Sequence, residues 1–598
     1  MSENSATTFE PKKPTYRSTI IALFVVFIVY AALICVGLPQ KWTHAQFSHH
    51  EEGSEPQSIE AIEIIDETEN AIEAEDNAIV EEETVEVSVP LSDGNPENAK
   101  AETERPVPPL WTSLPFIALL LCIAVLPLVP RVDHWWESNF HRFIVAAILG
   151  LITLAYYAFV CDFPLDLHWP AHKVIDPNAG AIAKAGTVFI NAILGEYVSF
   201  IVLLFALFSI TGGIRISGDL RATPFVNSVI LSLGALMASL VGTTGAAMLL
   251  IRLLLETNSE RKYKVHTIVF FIFCVCNVGG CLLPIGDPPL FLGYLRGVGF
   301  LWTIHLWKEW LFVIGLLVGL FYLLDKFIFY AKESKEDLLK DEQNRTPLCI
   351  RGLFPNLFCL IGVVLAVMLL DPAQEFLALF GVSTGVYPPM FLREIVQLAM
   401  VVISFLFGSN SIRQENDFNF SAIVEVAALF FGIFICMQAP LQILNAKGAQ
   451  LATVVDQYGS KIKLNEPKEF FWLSGCLSSV LDNAPTYVVF FETARAASEG
   501  KLQEAQASGD LEKAATIQAK LDEGAQESGV PIPLQLLAAV SLGSVFMGAM
   551  TYIGNGPNFM VKAIAEQSGV KMPSFFGYMG YSCFILLPIL IVMTIVFL

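Results

Sequence analysis

A short phrase rich in glycine and proline occurs twice in the chain and constrains the fold more than any other feature. Residues 285–291 spell IGDPPLF, and residues 553–559 spell IGNGPNF, 268 positions later. Both copies lie inside long apolar stretches, where Gly and Pro would interrupt a helix within a membrane. The N–H and C=O groups freed by such a break are tolerated only where protein or a water-filled cavity surrounds them. Two matched breaks therefore predict a secondary transporter with its binding site near the membrane midplane.

The composition is that of a membrane protein. The chain has 598 residues, of which 54% are hydrophobic and 16% are charged, and its mean hydropathy is +0.58. A soluble protein carries about 25% charged residues. The many apolar runs close to 20 residues long predict an all-α polytopic membrane protein rather than an outer-membrane barrel, whose strands alternate polar and apolar residues.

The net charge of −21 comes mostly from one segment. Residues 51–105 hold 19 Asp and Glu against Lys100 and Arg105, a net charge of −17. The rest of the chain has no basic patch, so we expect no nucleic-acid partner. No HExxH, GxSxG or P-loop phrase occurs, and we expect no enzymatic activity and no cofactor.

Hydrophobic runs predict about 11 transmembrane helices plus two re-entrant hairpins. The predicted spans are 18–38, 110–129, 141–161, 186–211, 265–297, 301–326, 351–371, 389–409, 420–443, 532–565 and 573–598. The predicted hairpins are 223–256 and 469–497. Lys and Arg follow the spans on the cytoplasmic side if the N-terminus is cytoplasmic. Each half then crosses the membrane five times, so the halves form an inverted-topology repeat.

This map divides the chain into segments. We predict a cytoplasmic N-terminus (1–17), an uncleaved transmembrane anchor (18–38), an acidic, disordered extracytoplasmic segment (39–109), a first transporter repeat (110–326), a cytoplasmic linker (327–350) and a second repeat (351–598) with an extracytoplasmic helical insertion at 498–530.

Polar residues concentrate at the two hairpin tips and the two breaks. The candidate ion- and substrate-binding residues are Thr243, Thr244, Asn277, Asp287, Asp482, Asn483, Thr486, Thr551, Asn555 and Asn558. Carboxylates at membrane depth are rare and usually functional, and oxygen ligands suit Na⁺. We place Na⁺ at Asp482, Asn483, Asp287 and Asn555. The alternative is structural: Asp482 as a helix cap, Asp287 as an Asp-Pro turn residue, and the Asn and Thr side chains as partners of broken backbone.

Two further carboxylates lie in or near the starts of apolar spans. Glu196 and Glu425 belong to weakly similar stretches of the two halves. Each is a candidate proton carrier, with a structural partner of a hairpin as the alternative.

Four stretches carry a family resemblance: GTTGAAMLLIR, NVGGCLLPIGDPPLFLGYLRGV, LDNAPTYVVFFE and IGNGPNFMVKAIAE. They resemble the ion transporter superfamily, and within it the subgroup of citrate transport or NhaD-like sodium:proton antiporter proteins. The resemblance covers about 110–598 and implies two inverted repeats, each with a re-entrant hairpin and an unwound helix, and a scaffold that supports a homodimer. The Ser-Asn-Thr tips of dicarboxylate carriers are absent, and Asp-Asn-Ala-Pro-Thr at 482–486 is more similar to the antiporter branch.

These observations together predict a secondary active transporter of the bacterial inner membrane, surrounded by lipid. Sodium/proton antiport is the favoured function, with Na⁺ (or Li⁺) and H⁺ as the transported ions. The alternative is Na⁺- or H⁺-coupled transport of citrate or a related carboxylate, which would use the same helix ends and bound Na⁺.

Overall fold

The computed structural model describes residues 17–47, 107–168, 173–377, 382, 384–457 and 466–598. The predictions for the N-terminus before residue 17 and for the acidic segment between 48 and 106 lie outside the described residues. In the described part the chain is mostly helical, and eight of its helices are long and apolar enough to cross a membrane. This confirms an all-α polytopic membrane protein. The number of crossings and the re-entrant hairpins remain predictions.

The longer helices in the first half follow the predicted spans. In chain order the helices are α1 (Arg17–Cys35), α2 (Leu38–Phe47), α3 (Leu114–Val125), α4 (Asp133–Trp136), α5 (Asn139–Phe159), α6 (Ala181–Ile190) and α7 (Val198–Thr211), with a π-helical turn at Asn191–Tyr197 between the last two. The short helices α2 and α4 match no predicted span, and α2 lies in the segment predicted to be disordered. The anchor helix α1 contacts the rest of the protein, since the Tyr30 hydroxyl donates to the Met390 carbonyl. Its remaining face is apolar and exposed, as expected of a helix in lipid.

The first hairpin consists of α8 (Pro224–Val241) and α9 (Thr243–Thr257), joined by Gly242 at φ +81°. A side chain would be strained at that φ, so glycine suits the tip. The discontinuous helix follows as α10 (Val265–Cys274), two short 3₁₀ turns (Val278–Leu282 and Pro284–Gly286) and α11 (Pro288–Leu295). The first half ends with α12 (Trp307–Leu324), continued by a π turn to Phe329.

The second half again contains a helical hairpin followed by a discontinuous helix. After α13 (Lys335–Gln343) in the predicted linker, its helices are α14 (Leu353–Leu369), α15 (Leu392–Phe407), α16 (Asn410–Glu415), α17 (Ser421–Gln457), α18 (Pro467–Ser478), α19 (Asn483–Ala507), α20 (Leu511–Ser528), α21 (Leu534–Phe546), α22 (Gly556–Gln567), α23 (Phe575–Tyr581) and α24 (Leu587–Phe597). Helices α18 and α19 form the second hairpin. Helix α19 continues past the hairpin and pairs with α20, so the insertion is helical.

The two discontinuous helices form the centre of the molecule. Every residue from 266 to 281 is buried, and so is every residue from 539 to 552. A helix that is apolar on all sides belongs in a protein core or in membrane hydrocarbon, and these two are surrounded by protein. Both breaks have the same backbone shape: Asp287 begins α11 at φ −143°, ψ 141°, and Asn555 begins α22 at φ −154°, ψ 138°. The repeated phrase therefore encodes the same turn twice.

Four short strands add a feature that the sequence did not predict. Leu165–Leu167 (β1) pairs with Lys173–Ile175 (β2), and Arg215–Asp219 (β3) pairs with Thr346–Arg351 (β4), both antiparallel. All six residues of β4 are exposed, so no alternation of buried and exposed residues marks it as a strand. Because β3 follows α7 and β4 leads into α14, this strand pair joins the two halves.

Candidate functional site

The Asp287 carboxylate lies where both hairpin tips and both breaks meet. Asp287 is only 1% exposed. Oδ1 accepts from the Thr243 hydroxyl (3.1 Å) and from Asn555 Nδ2 (3.2 Å). Oδ2 accepts from Asn483 Nδ2 at 2.7 Å. One carboxylate thus connects the first hairpin tip, the second hairpin tip and the second break.

Three asparagines join the two breaks to each other. Asn277 Nδ2 donates to Asn558 Oδ1 at 2.7 Å and to the Ile272 carbonyl at 2.9 Å. Asn555 Nδ2 lies 3.0 Å from the Cys276 carbonyl and 3.3 Å from Asn277 Oδ1. These side-chain amides donate hydrogen bonds to backbone carbonyls that have no helical partner at the breaks. Buried backbone carbonyls need such partners.

Asn558 and Thr551 serve the second break in the same way. Asn558 Nδ2 donates to the carbonyls of Gly548 and Thr551, both at 2.9 Å. The Thr551 hydroxyl donates to the Ser479 carbonyl at 2.5 Å and accepts from the Gly554 amide. Thr551 therefore connects the second hairpin to the break, and its hydroxyl is already engaged by backbone.

Asp482 has a different role from Asp287 in this structure. Its carboxylate accepts from the Ala484 amide at 3.1 Å and caps the start of α19, and the Asp482 side chain is half-buried. The Thr486 hydroxyl donates to the Asp482 carbonyl at 3.0 Å. Asp482 therefore caps a helix, as the structural alternative predicted. Ion binding by Asp482 and Thr486 remains a prediction.

The charge around Asp287 is unbalanced. Among the described residues no Lys, Arg or His forms an ion pair with Asp287, and its three donors are neutral. Asn483 Oδ1, on a residue only 1% exposed, has no hydrogen-bond partner in the described structure. A buried carboxylate beside an unpaired amide oxygen is costly unless a proton or a cation accompanies it.

A small cavity adjoins the first hairpin tip. Its volume is about 70 Å³, and Gly242, Thr244, Ile285 and Val426 are among its lining residues. Each water occupies about 30 Å³ in the liquid, so the cavity has room for about two waters. Typical small-molecule pockets measure about 300–1,000 Å³. In this conformation the cavity is too small for a tricarboxylate, and most of its lining residues are apolar.

Glycines allow the two breaks to close around these groups. A Cβ atom on Gly280 would lie 2.7 Å from Thr243 Cγ2 and 2.9 Å from the Gly286 carbonyl oxygen. A Cβ atom on Gly548 would lie 3.1 Å from Asn277 Oδ1. Side chains would therefore displace the site residues, so the glycines are part of the site.

Both candidate proton carriers lie in ion pairs. Glu196, in the π-helical turn, accepts from Arg296 Nη2 at 2.9 Å to each oxygen. Glu425 pairs with Arg142 at 2.7 Å. Each Glu therefore has a basic partner, and the described hydrogen bonds connect neither directly to Asp287. Proton carrying by either residue stays a prediction.

Sequence reasoning missed several residues that hold this region together. The Ser239 hydroxyl donates to the Gly279 carbonyl and accepts from the Leu282 amide, linking the first hairpin to the first break. Ser478 donates to the Ser544 carbonyl at 2.7 Å in the second half. Serine within an apolar hairpin was the available signal, but a serine inside a helix often bonds its own backbone instead.

Long apolar helices that enclose a buried polar centre are typical of multi-pass membrane proteins. The chain belongs to the family described as "Putative citrate transport", which matches residues 105–598. No curated protein matches the chain. The family indicates transport of citrate or a related anion, and its description does not extend to sodium:proton antiport.

Proposed function

We propose that the protein is a secondary active transporter that exchanges Na⁺ for H⁺ at the Asp287 site. The observation that carries the proposal is the buried Asp287 carboxylate, whose only described donors are the neutral groups of Thr243, Asn483 and Asn555. Such a group needs either a proton or a bound cation to offset its charge. Alternation between these two partners at one carboxylate is the chemistry of an antiporter.

The ligand set around Asp287 supports a cation. The unpaired Asn483 Oδ1 and the Asp287 oxygens come from different halves of the chain. Hydroxyl, amide and carboxylate oxygens are hard ligands, and carbonyls of unwound helices bind Na⁺ in other transporters. We assign Asp287 and Asn483 as ligands, with Thr243 and Asn555 positioning the carboxylate. Asp482 would add a second negative charge at the tip of α19.

Cation-coupled transport of citrate or a related carboxylate is the second candidate. The family description favours it. Four helices, α9, α11, α19 and α22, begin near the site, and helix N-termini attract anions. This candidate requires the 70 Å³ cavity to enlarge in another conformation. In it, Na⁺ or H⁺ at Asp287 would offset part of the anion's charge.

One reconstitution experiment separates the candidates. Purified protein is placed in liposomes with a trapped pH dye, and a Na⁺ pulse is applied outside. Antiport predicts immediate internal alkalinisation when a Na⁺ gradient drives H⁺ outward, with or without citrate. A parallel assay measures uptake of labelled citrate with Na⁺ or K⁺ outside. Citrate accumulation with no pH change under a Na⁺ pulse alone would refute antiport.

Asp287→Asn is the decisive variant for the same assay. Asparagine preserves the shape of the side chain but removes the charge that a proton or Na⁺ would balance. We expect at least a tenfold loss of the Na⁺-driven pH change without loss of folding. The control is Asp522→Asn, on the exposed face of α20. Full exchange by Asp287→Asn would show that this carboxylate is a structural cap.

A further inference from the structure

Two helices leave the candidate site side by side. Helix α11 begins after Asp287, and helix α19 begins at Asn483, whose amide donates to the Asp287 carboxylate at 2.7 Å. Their surfaces are in close contact, because a Cβ atom on Gly293 would overlap the Tyr487 hydroxyl. The two helices thus pack directly along their length.

An ion pair joins α11 and α19 again further from Asp287, at the C-terminal end of α11 and in the first half of α19. Arg296 lies nine residues after Asp287, and Glu492 lies nine residues after Asn483. Nine helical residues span about 13 Å. Arg296 Nε lies 3.3 Å from Glu492 Oε1, and the two side chains are 9% and 8% exposed. Helix α11 and the first turns of α19 therefore connect this ion pair to the Asp287 site.

Glu196 completes a three-residue cluster. Its carboxylate accepts from Arg296 Nη2, and its side chain is 22% exposed. It lies in the π-helical turn, an irregularity that is often found at functional sites. The cluster therefore attaches the α11–α19 pair to the helix that runs from α6 to α7.

The cluster carries one positive and two negative charges. Glu492 Oε2 and Arg296 Nη1 are buried without hydrogen-bond partners among the described residues. The charged groups that act on Glu492 are Arg296, Arg495 and Glu196, and the phenol of Tyr487 lies nearby on the same helix. Arg495 is half exposed and pairs with Glu499, so water and its own partner screen it. The Arg296–Glu492–Glu196 cluster therefore has a net charge of about −1 and is largely buried.

We propose that Glu196 and Glu492 share one exchangeable proton and form a second proton-binding site, on the predicted extracytoplasmic side. This inference rests on the proposed function and adds a proton route to it. A hydronium ion on that side gives its proton to a carboxylate oxygen of the pair and leaves as water. The resulting carboxylic acid is neutral, and Arg296 keeps one carboxylate partner. The attachment between the α11–α19 pair and the π-helical turn then weakens.

Infrared spectroscopy of the purified protein tests the site without any transport. The carbonyl stretch of a protonated carboxylic acid is recorded as the difference between about pH 6 and about pH 8, a range in which exposed Asp and Glu stay ionised. We expect the wild-type spectrum to contain a band from one carboxylic acid per protein molecule. This band should be missing in both Glu492→Gln and Glu196→Gln. Either change leaves a single carboxylate balanced by Arg296, so no proton is needed. Glu504→Gln, exposed on the same helix, is the control and should retain the band.

The outcome is decisive even if one variant fails to fold. Loss of the band in whichever of Glu492→Gln and Glu196→Gln folds supports the shared proton. Wild-type signal in a folded variant overturns it. Because the spectrum does not depend on Na⁺ exchange, its result separates failure of this site from failure of the antiport proposal.

Transport assays then connect the site to the cycle. In liposomes we expect the wild-type rate to vary with external pH, and the Glu492→Gln rate to lose most of that dependence. Glutamine resembles the protonated acid in charge, so the variant should behave as wild type does at low external pH. A Glu492→Gln profile identical to those of wild type and Glu504→Gln would contradict a role for this proton in transport.

Discussion

At the scale of single residues, the two aspartates of the candidate site show how position decides role. Asp287 is enclosed by donors from three segments and is 1% exposed. Asp482 is half-buried and caps a helix. The sequence predicted both aspartates at membrane depth but did not show which one is the more deeply buried. That difference depends on contacts between residues about 200 or more positions apart. The structure favours Asp287 as the charged centre.

Asp219, at the end of β3 outside the membrane-spanning segments, provides a pH-dependent prediction. Burial, followed by the carboxylates of Glu260, Asp341 and Glu256, raises the pKa of Asp219 from 3.8 to about 6. The folded protein therefore binds this proton more tightly than the unfolded chain. The resulting stability is fully present below pH 3.8 and is lost as the pH rises through 6.

Asp219→Asn removes this dependence. We expect the variant to unfold at a higher temperature than wild type at pH 8, where the wild-type carboxylate is charged beside other carboxylates. The advantage should disappear at pH 4. Thermal unfolding in detergent measures both, with Asp522→Asn as the control. A variant that is less stable than wild type at pH 8 would contradict repulsion in this cluster.

At the scale of elements, the glycines of the breaks limit what each break can tolerate. Gly280→Ala would press a methyl group against Thr243 and the Gly286 carbonyl. Such overpacking costs about 1–3 kcal/mol. We expect a lower unfolding temperature and reduced Na⁺-driven exchange, because Thr243 donates to Asp287.

Gly315→Ala is the matched comparison. No atom lies within 4 Å of a Cβ atom at Gly315, in the regular helix α12. Alanine favours helix over glycine by about 1 kcal/mol, so this variant should be as stable as wild type or more stable. Equal unfolding temperatures for Gly280→Ala and Gly315→Ala would show that the first break can relax around a methyl group.

Helices were the most predictable elements. The run 141–161 predicted α5, which spans Asn139–Phe159, and the repeated phrase predicted where α11 and α22 begin. These features depend on local hydrophobicity and on Gly and Pro, which the sequence displays directly. Strand β4 was missed because its pairing with β3 joins positions more than 120 residues apart and leaves no local pattern.

At the scale of the whole molecule, the site residues converge from both halves as the sequence predicted for Asp287, Asn483 and Asn555. The Arg296–Glu492–Glu196 cluster was not predictable as a unit. Glu196 was singled out for its depth, but Arg296 and Glu492 lie at the ends of amphipathic stretches, where charged residues are ordinary. Only the three-dimensional packing of α11 against α19 brings them together.

The predicted inverted arrangement of the halves makes a testable claim about sidedness. Single cysteines replace Glu336, on α13 in the predicted cytoplasmic linker, or Glu512, on α20 in the predicted extracytoplasmic insertion, in a cysteine-free background. Both positions are exposed. A membrane-impermeant maleimide should label position 512 in intact cells and position 336 only after permeabilisation. Labelling of both from one side would contradict the three crossings predicted between these two positions.

The hydrogen bond from Asn277 to Asn558 has an evolutionary consequence. Each break supplies half of a matched pair of amides, so neither break can diverge freely while its counterpart stays fixed. A chimaera that takes one half from a relative with a different residue at either position would combine mismatched partners. Compatible halves should therefore be inherited together, and the two ends of a gene for such a protein would be expected to change in concert.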